Sequence, residues 1–111
     1  MTVHRTGGHY KVHQDGGKGV HGTRRLTYVY YFHRLPKPFA GGDLLLYDTD
    51  VQNGGYAAAF TRLEAVDNSI VLFPSEYCHQ VTSVRCASPE WGDSRFTLNG
   101  WFHPVRAEAA T

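Results

Sequence analysis

The tripeptide His13-Gln14-Asp15 and a distant histidine, His79, are the residues of this chain best suited to chemistry. On a strand, residues two apart point to the same face, so His13 and Asp15 would project side by side. His79 lies in another strand-like run, and the fold must bring it to them. Two imidazoles and one carboxylate on one face of a metal leave the opposite positions open. Such a set suits non-haem Fe(II), whose open positions take a co-substrate and O2. The chain holds seven histidines, so an H-x-D tripeptide also arises readily by chance, and it gains weight only from its surroundings.

At 111 residues the chain is expected to be a single domain over 1–111, with no room for a second core. With 41% hydrophobic and 14% aromatic residues it can pack a core, and a net charge of +1 gives no nucleic-acid footprint. Cys78 and Cys86 form neither a disulfide framework nor a zinc motif, which makes a reducing cytosol the default. There is no charged-then-apolar leader and no apolar run of about 18 residues. A cytoplasmic chain with no membrane partner is the expectation.

Short strand-like runs separated by Gly, Asp, Asn and Pro organise the sequence. They are His9–Gln14, Arg25–Phe32, Asp43–Tyr47, Ala57–Glu64, Ile70–Phe73, Gln80–Val84 and Arg95–Phe102. No amphipathic helix accompanies them. Strands at this spacing predict an all-β sandwich or barrel. Residues 106–111 read as a frayed tail. In the last run Arg95, Thr97, Asn99 and Trp101 share one face, while Phe96, Leu98 and Phe102 share the other. The polar face reads either as a cavity lining or as a solvated edge. The apolar face needs a cover, from a second copy, another chain or a further segment.

Five segments, in order, carry a resemblance. They are G-G-H-Y-K-V-H-Q-D at Gly7–Asp15, R-L-T-Y-V-Y-Y-F at Arg25–Phe32 and G-G-D-L-L-L-Y at Gly41–Tyr47. V-L-F-P-S-E-Y-C-H-Q-V at Val71–Val81 and D-S-R-F-T-L-N-G-W-F at Asp93–Phe102 complete the set. The chain resembles the 2-oxoglutarate and Fe(II)-dependent oxygenases, in the prolyl-4-hydroxylase-like branch. It is similar to the hypoxia-inducible-factor prolyl hydroxylases and their bacterial relatives.

The resemblance implies a double-stranded β-helix, or jelly roll, here without the N-terminal helices that relatives carry. It implies His13, Asp15 and His79 as Fe(II) ligands and Arg95 as the partner of the distal carboxylate of 2-oxoglutarate. A dicarboxylate in a closed pocket needs a fixed cation, and arginine's planar fork binds a carboxylate in bidentate fashion. Tyr30 matches a family tyrosine that hydrogen-bonds the same carboxylate, and Asn99 stands where relatives often place a threonine near the co-substrate. Trp101 matches a position beside the metal site, with simple core packing as the other reading. Tyr10 would line the substrate entrance or merely pack. The implied cofactor is Fe(II), with 2-oxoglutarate and O2 as co-substrates and ascorbate as an accessory. The implied reaction yields succinate, CO2 and a hydroxylated unactivated C–H. With Asp15 filling the position a halide would need, hydroxylation is expected over halogenation. A prolyl peptide or a small molecule would be the substrate.

The family tyrosine normally found upstream on the first strand has no match here. The stretch Cys86–Asp93 reads as an inserted loop at the pocket's rim. His4, His9, His21, His33 and His103 read as surface or core histidines. Gly41-Gly42 is expected to permit a turn or a close backbone approach. The Gly-rich run after Asp15 lacks a phosphate-loop pattern and reads as a lid beside the metal. Two other function classes fit: a non-catalytic jelly-roll binding module or decayed oxygenase, and a cupin-like metal enzyme with no need of a buried cation at Arg95.

Overall fold

The structure is a computed structural model that describes residues 1–14, 23–50, 52 and 55–104. Asp15, the tail at 106–111 and nearly all of the expected lid lie outside the described residues.

Regular structure among the described residues is almost all strand, and most of the strands are rich in aromatic and aliphatic side chains. In chain order these are β1 (Thr2–His4), β2 (Tyr10–His13), β3 (Leu26–Phe32), β4 (Phe39–Gly41) and β5 (Leu44–Asp50). There follow β6 (Gly55–Leu63), β7 (Ser69–Pro74), β8 (His79–Val81), β9 (Val84–Cys86) and β10 (Arg95–Phe102). A single 3-10 turn at Trp91–Asp93 is the one helical element among the described residues. Every strand pairing is antiparallel. One sheet runs β1-β10-β3-β7, a second runs β2-β8-β5-β6, and β4 pairs with β9 alone. This is the all-β, jelly-roll-like architecture expected from the sequence. The shortest dimension, 21 Å, fits two stacked sheets with their side chains.

The core lies between the sheets. Val29, Tyr31 and Phe73 point inward from the first, and Leu44 and Val81 meet them from the second. Phe39 and Val84 close one end from the β4–β9 pair. Three strand readings need correction. β1 and β4 are too short, at three residues each, to show a periodicity. The run Gln80–Val84 is not one strand. Val81 and Val84 are both buried yet three apart, which breaks the period of two, and the chain switches pairing partner between them.

Along β10, Arg95 and Thr97 are buried, whereas Leu98 and Phe102 are 44% and 53% exposed. Phe96 is half-buried because Phe32 stacks on it at 5.4 Å and Trp91 meets its edge at 5.6 Å. Ile70 and Leu72 of β7 extend this exposed apolar face across the first sheet. The segment Cys86–Asp93 is not at the rim of the cavity described below. It is folded back on itself, with Ser88 Oγ hydrogen-bonded to Asp93, and Arg5 clamps it through the carbonyls of Pro89 and Glu90.

Candidate functional site

His13 ends β2 and His79 begins β8, and the two are direct cross-strand partners. Side chains opposite one another in an antiparallel pair lie close on the same face. Here the ring centroids are 4.1 Å apart. Phe73 packs edge-on against His79 at 4.9 Å and helps to bury it. His13 Nδ1 lies 2.7 Å from the carbonyl of Lys11, and His79 Nδ1 lies 3.1 Å from the carbonyl of Tyr77. A carbonyl can only accept, so each Nδ1 carries a proton, and a neutral ring of this tautomer has its lone pair on Nε2. Orientation of an imidazole by a backbone carbonyl in this way is characteristic of metal-binding histidines. Among the described residues no group of three His, Cys, Asp or Glu side chains is assembled around a metal position, and Asp15 lies outside them.

Arg95 opens β10 on the inner face and is only 2% exposed. Its Nε donates to the carbonyl of Gly42 at 2.9 Å, and its Nη1 donates to Nδ1 of His4 at 2.8 Å. The ion pairs formed among the described residues involve Arg34 and Arg62, and none of them reaches Arg95. Burial disfavours its charge, which the nearby Tyr31 and Asp43 oppose; a guanidinium nevertheless stays protonated.

Gly41 and Gly42 make this seat possible. Both have positive φ, at 74° and 70°. A Cβ on Gly41 would run into the carbonyl oxygen of Ser83, and one on Gly42 would lie 2.6 Å from Cδ of Arg95. The expected close approach of the backbone is therefore the floor on which Arg95 rests.

Tyr30 does not reach Arg95. On β3 the inner face carries Thr27, Val29 and Tyr31, while Tyr30 lies on the outer face with its hydroxyl donating to Asn68 at 2.7 Å. Tyr31 is the inner residue: the Arg95 guanidinium carbon lies 5.2 Å from its ring centroid. The Tyr31 hydroxyl is buried and makes no hydrogen bond of good geometry; the polar neighbour in its reach is Arg95, whose charge and donors face it loosely. Burial raises its pKa, and Arg95 pulls the other way. The one-residue shift follows from the side-chain period of two, since a slip by one position changes face.

His4, which the sequence reading put among surface or core histidines, is a buried one, and its contact with Arg95 is what that reading did not give. It is buried against Arg95 and lies directly opposite it in the β1–β10 register. Its pKa is lowered to about 4, first by burial, then by Arg95 and His9.

All these groups open into one cavity of about 210 Å³. Arg95, His4 and Tyr31 form its buried end, and His13 and His79 line it as well. Val29, Leu44 and Val81 give it apolar walls. Tyr10, Asn99 and Trp101 are all partly exposed and stand at its mouth. Tyr10 bridges the two ends, with its ring 5.1 Å from His4 and 5.7 Å from His13. Asn99 accepts a hydrogen bond from Thr97 Oγ1 at 2.7 Å. Trp101 is not core: the Arg24 guanidinium stacks on its ring at 3.6 Å.

Residues 1–103 match the 2OG-Fe(II) oxygenase superfamily. The chain belongs to that superfamily. It is similar to an uncharacterized PKHD-type hydroxylase of Synechocystis sp., with 44% identity over 103 residues, which are 91% of this chain and 34% of the relative. Its fold matches the crystal structure of a Pseudomonas putida prolyl-4-hydroxylase with a TM-score of 0.65 at 24% identity, over 94% of this chain and 49% of that one. The chain thus spans about a third of the hydroxylase relative and about half of the solved prolyl-4-hydroxylase, and both likenesses are to hydroxylases.

The family works in general with Fe(II) and 2-oxoglutarate, and the donor sets fit both. Two imidazoles presenting Nε2 suit a borderline divalent metal. A buried guanidinium with neutral partners, beside a buried hydroxyl, suits one end of a dicarboxylate.

Proposed function

We propose that the chain is the core of an Fe(II)- and 2-oxoglutarate-dependent dioxygenase that hydroxylates an unactivated C–H bond. The observation that carries this reading is Arg95. A buried cation that forms no ion pair with a described carboxylate is costly, and this one, with Asp43 near but not paired to it, lines the same cavity as the cross-strand pair His13 and His79. A cupin-like reading leaves that charge without a purpose.

His13, His79 and Asp15 would hold the iron, and iron held there would supply the oxidative chemistry that links decarboxylation of the 2-oxo acid by O2 to hydroxylation of the substrate. The chain's own residues do the positioning. Arg95 and the Tyr31 hydroxyl hold the distal carboxylate. The carbonyls of Lys11 and Tyr77 keep the two histidines in the ligating tautomer. Val29, Leu44 and Val81 keep the space dry, which strengthens the ionic contact at its end. Tyr10, Asn99 and Trp101 meet the substrate at the mouth, where proline-containing peptides are the first class to assay and small molecules the second.

The test is succinate release from 2-oxoglutarate under air with Fe(II), alongside oxidation of a supplied peptide. Release that is lost in His79→Ala and Arg95→Ala supports the reading. Equal release in those variants contradicts it.

A further inference from the structure

We propose that His4 is a positioning residue for the co-substrate anchor: as a neutral acceptor it fixes the plane of the Arg95 guanidinium without cancelling its charge. The inference rests on the reading of Arg95 as the carboxylate anchor and goes beyond it.

The geometry is built into the sheet. His4 and Arg95 are opposite residues of the β1–β10 pair, 91 positions apart in the chain, and both point into the cavity. A guanidinium has five N–H donors. One goes to the Gly42 carbonyl and one to His4 Nδ1, and these two bonds come from different edges of the group. Together they set its rotation and leave three N–H donors for a ligand. Both acceptors are uncharged. Aspartate or glutamate at position 4 would make a stronger bond to Arg95 but would neutralise it in advance. Histidine can serve only while unprotonated. The cation at Arg95, the neighbouring His9 and burial all act against its protonation. The Tyr10 ring packs edge-on against the imidazole at 5.1 Å and holds its orientation. The buried hydroxyl of Tyr31, whose ring centroid lies 5.2 Å from the guanidinium carbon, is a further donor for the same ligand.

The experiment is calorimetric titration of 2-oxoglutarate into the whole chain loaded with Mn(II), which supports no turnover. It compares the unaltered protein with His4→Phe, His4→Asn, His4→Asp and Arg95→Lys. Phenylalanine keeps the ring but has no acceptor, and should weaken binding about tenfold or more. Asparagine can place its carbonyl near the position of Nδ1, and should bind within about threefold of the unaltered chain. Aspartate should bind at least as weakly as phenylalanine, because it restores the bond and removes the charge. Affinity unchanged in His4→Phe, or restored in His4→Asp, overturns the inference. If Arg95→Lys alone weakens binding, His4 fails and the anchor stands; if Arg95→Lys also binds normally, the anchor itself fails. Should His4→Phe not fold, nitrogen NMR of the unaltered protein decides. It should show the neutral tautomer with its proton on Nε2 between about pH 5 and 8, and a proton on Nδ1 overturns the inference.

Discussion

Arg95 and Gly42 occupy each other's space. The arginine Nε donates to the glycine carbonyl at 2.9 Å, and a Cβ at position 42 would lie 2.6 Å from Cδ and 2.8 Å from Nε of that side chain. Gly42 also has a φ of +70°, which side-chain-bearing residues avoid. Gly42→Ala should therefore combine a left-handed backbone penalty of roughly 1–2 kcal/mol with an overpacking cost of roughly 1–3 kcal/mol. Chemical denaturation should show a loss of about 2–5 kcal/mol, and affinity for 2-oxoglutarate should fall with it. An alanine variant of native stability would mean that Arg95 is not seated as described.

Tyr30 and Tyr31 give a test with opposite signs. Tyr31→Phe removes a buried hydroxyl that has no well-formed hydrogen bond, only a loose approach to Arg95, so the ligand-free chain should be as stable as before or more stable by up to about 1 kcal/mol. The same change should weaken 2-oxoglutarate binding. Tyr30→Phe removes only a surface hydrogen bond to Asn68 and should leave binding unaltered. Denaturation paired with ligand titration reads both. A binding defect in the Tyr30 variant alone would reverse the assignment.

Arg95→Lys keeps the charge but loses the planar fork. The concentration of 2-oxoglutarate required should rise about tenfold or more, while Fe(II) affinity, which the proposed function assigns to His13 and His79 elsewhere in the cavity, should be spared. Competitive metal titration separates the two. Loss of both together would place Arg95 in the metal centre.

What the sequence disclosed about this site follows the strength of its alternation. In β10, polar and apolar residues alternate cleanly, so Arg95, Thr97, Asn99 and Trp101 could be put on one face, and that face lines the cavity. In β3 both faces are rich in large side chains: Tyr28, Tyr30 and Phe32 outside, Thr27, Val29 and Tyr31 inside. Nothing in such a run marks the inner parity, and a family pattern carried over one position too early selects Tyr30. His4 was beyond reach for another reason. Its role comes from a register set across the whole domain, and a three-residue strand has no period to read. His13 and His79 were legible as candidates by residue type, but their meeting at 4.1 Å is a property of the β2–β8 pairing.

His4 also makes a pH prediction. Its pKa is about 4 in the folded chain and near 6.5 when exposed, so between those values the unfolded chain binds more protons. Stability from this group is complete above about pH 6.5 and is lost as the pH falls toward about 4. The loss is about 3 kcal/mol over that range. Denaturation at a series of pH values should show a steeper decline for the unaltered chain than for His4→Phe. Parallel curves would mean that His4 is not held neutral against Arg95.

The most direct test of the whole account is an anaerobic titration of the chain with Fe(II) and then 2-oxoglutarate, followed by visible absorption. The account predicts a metal-to-ligand charge-transfer band that grows to saturation, is lost in His79→Ala and needs more 2-oxoglutarate in Arg95→Lys. Admission of O2 should bleach it with formation of succinate. Absence of the band in folded protein that binds Fe(II), or a band indifferent to His79 and Arg95, would contradict the account.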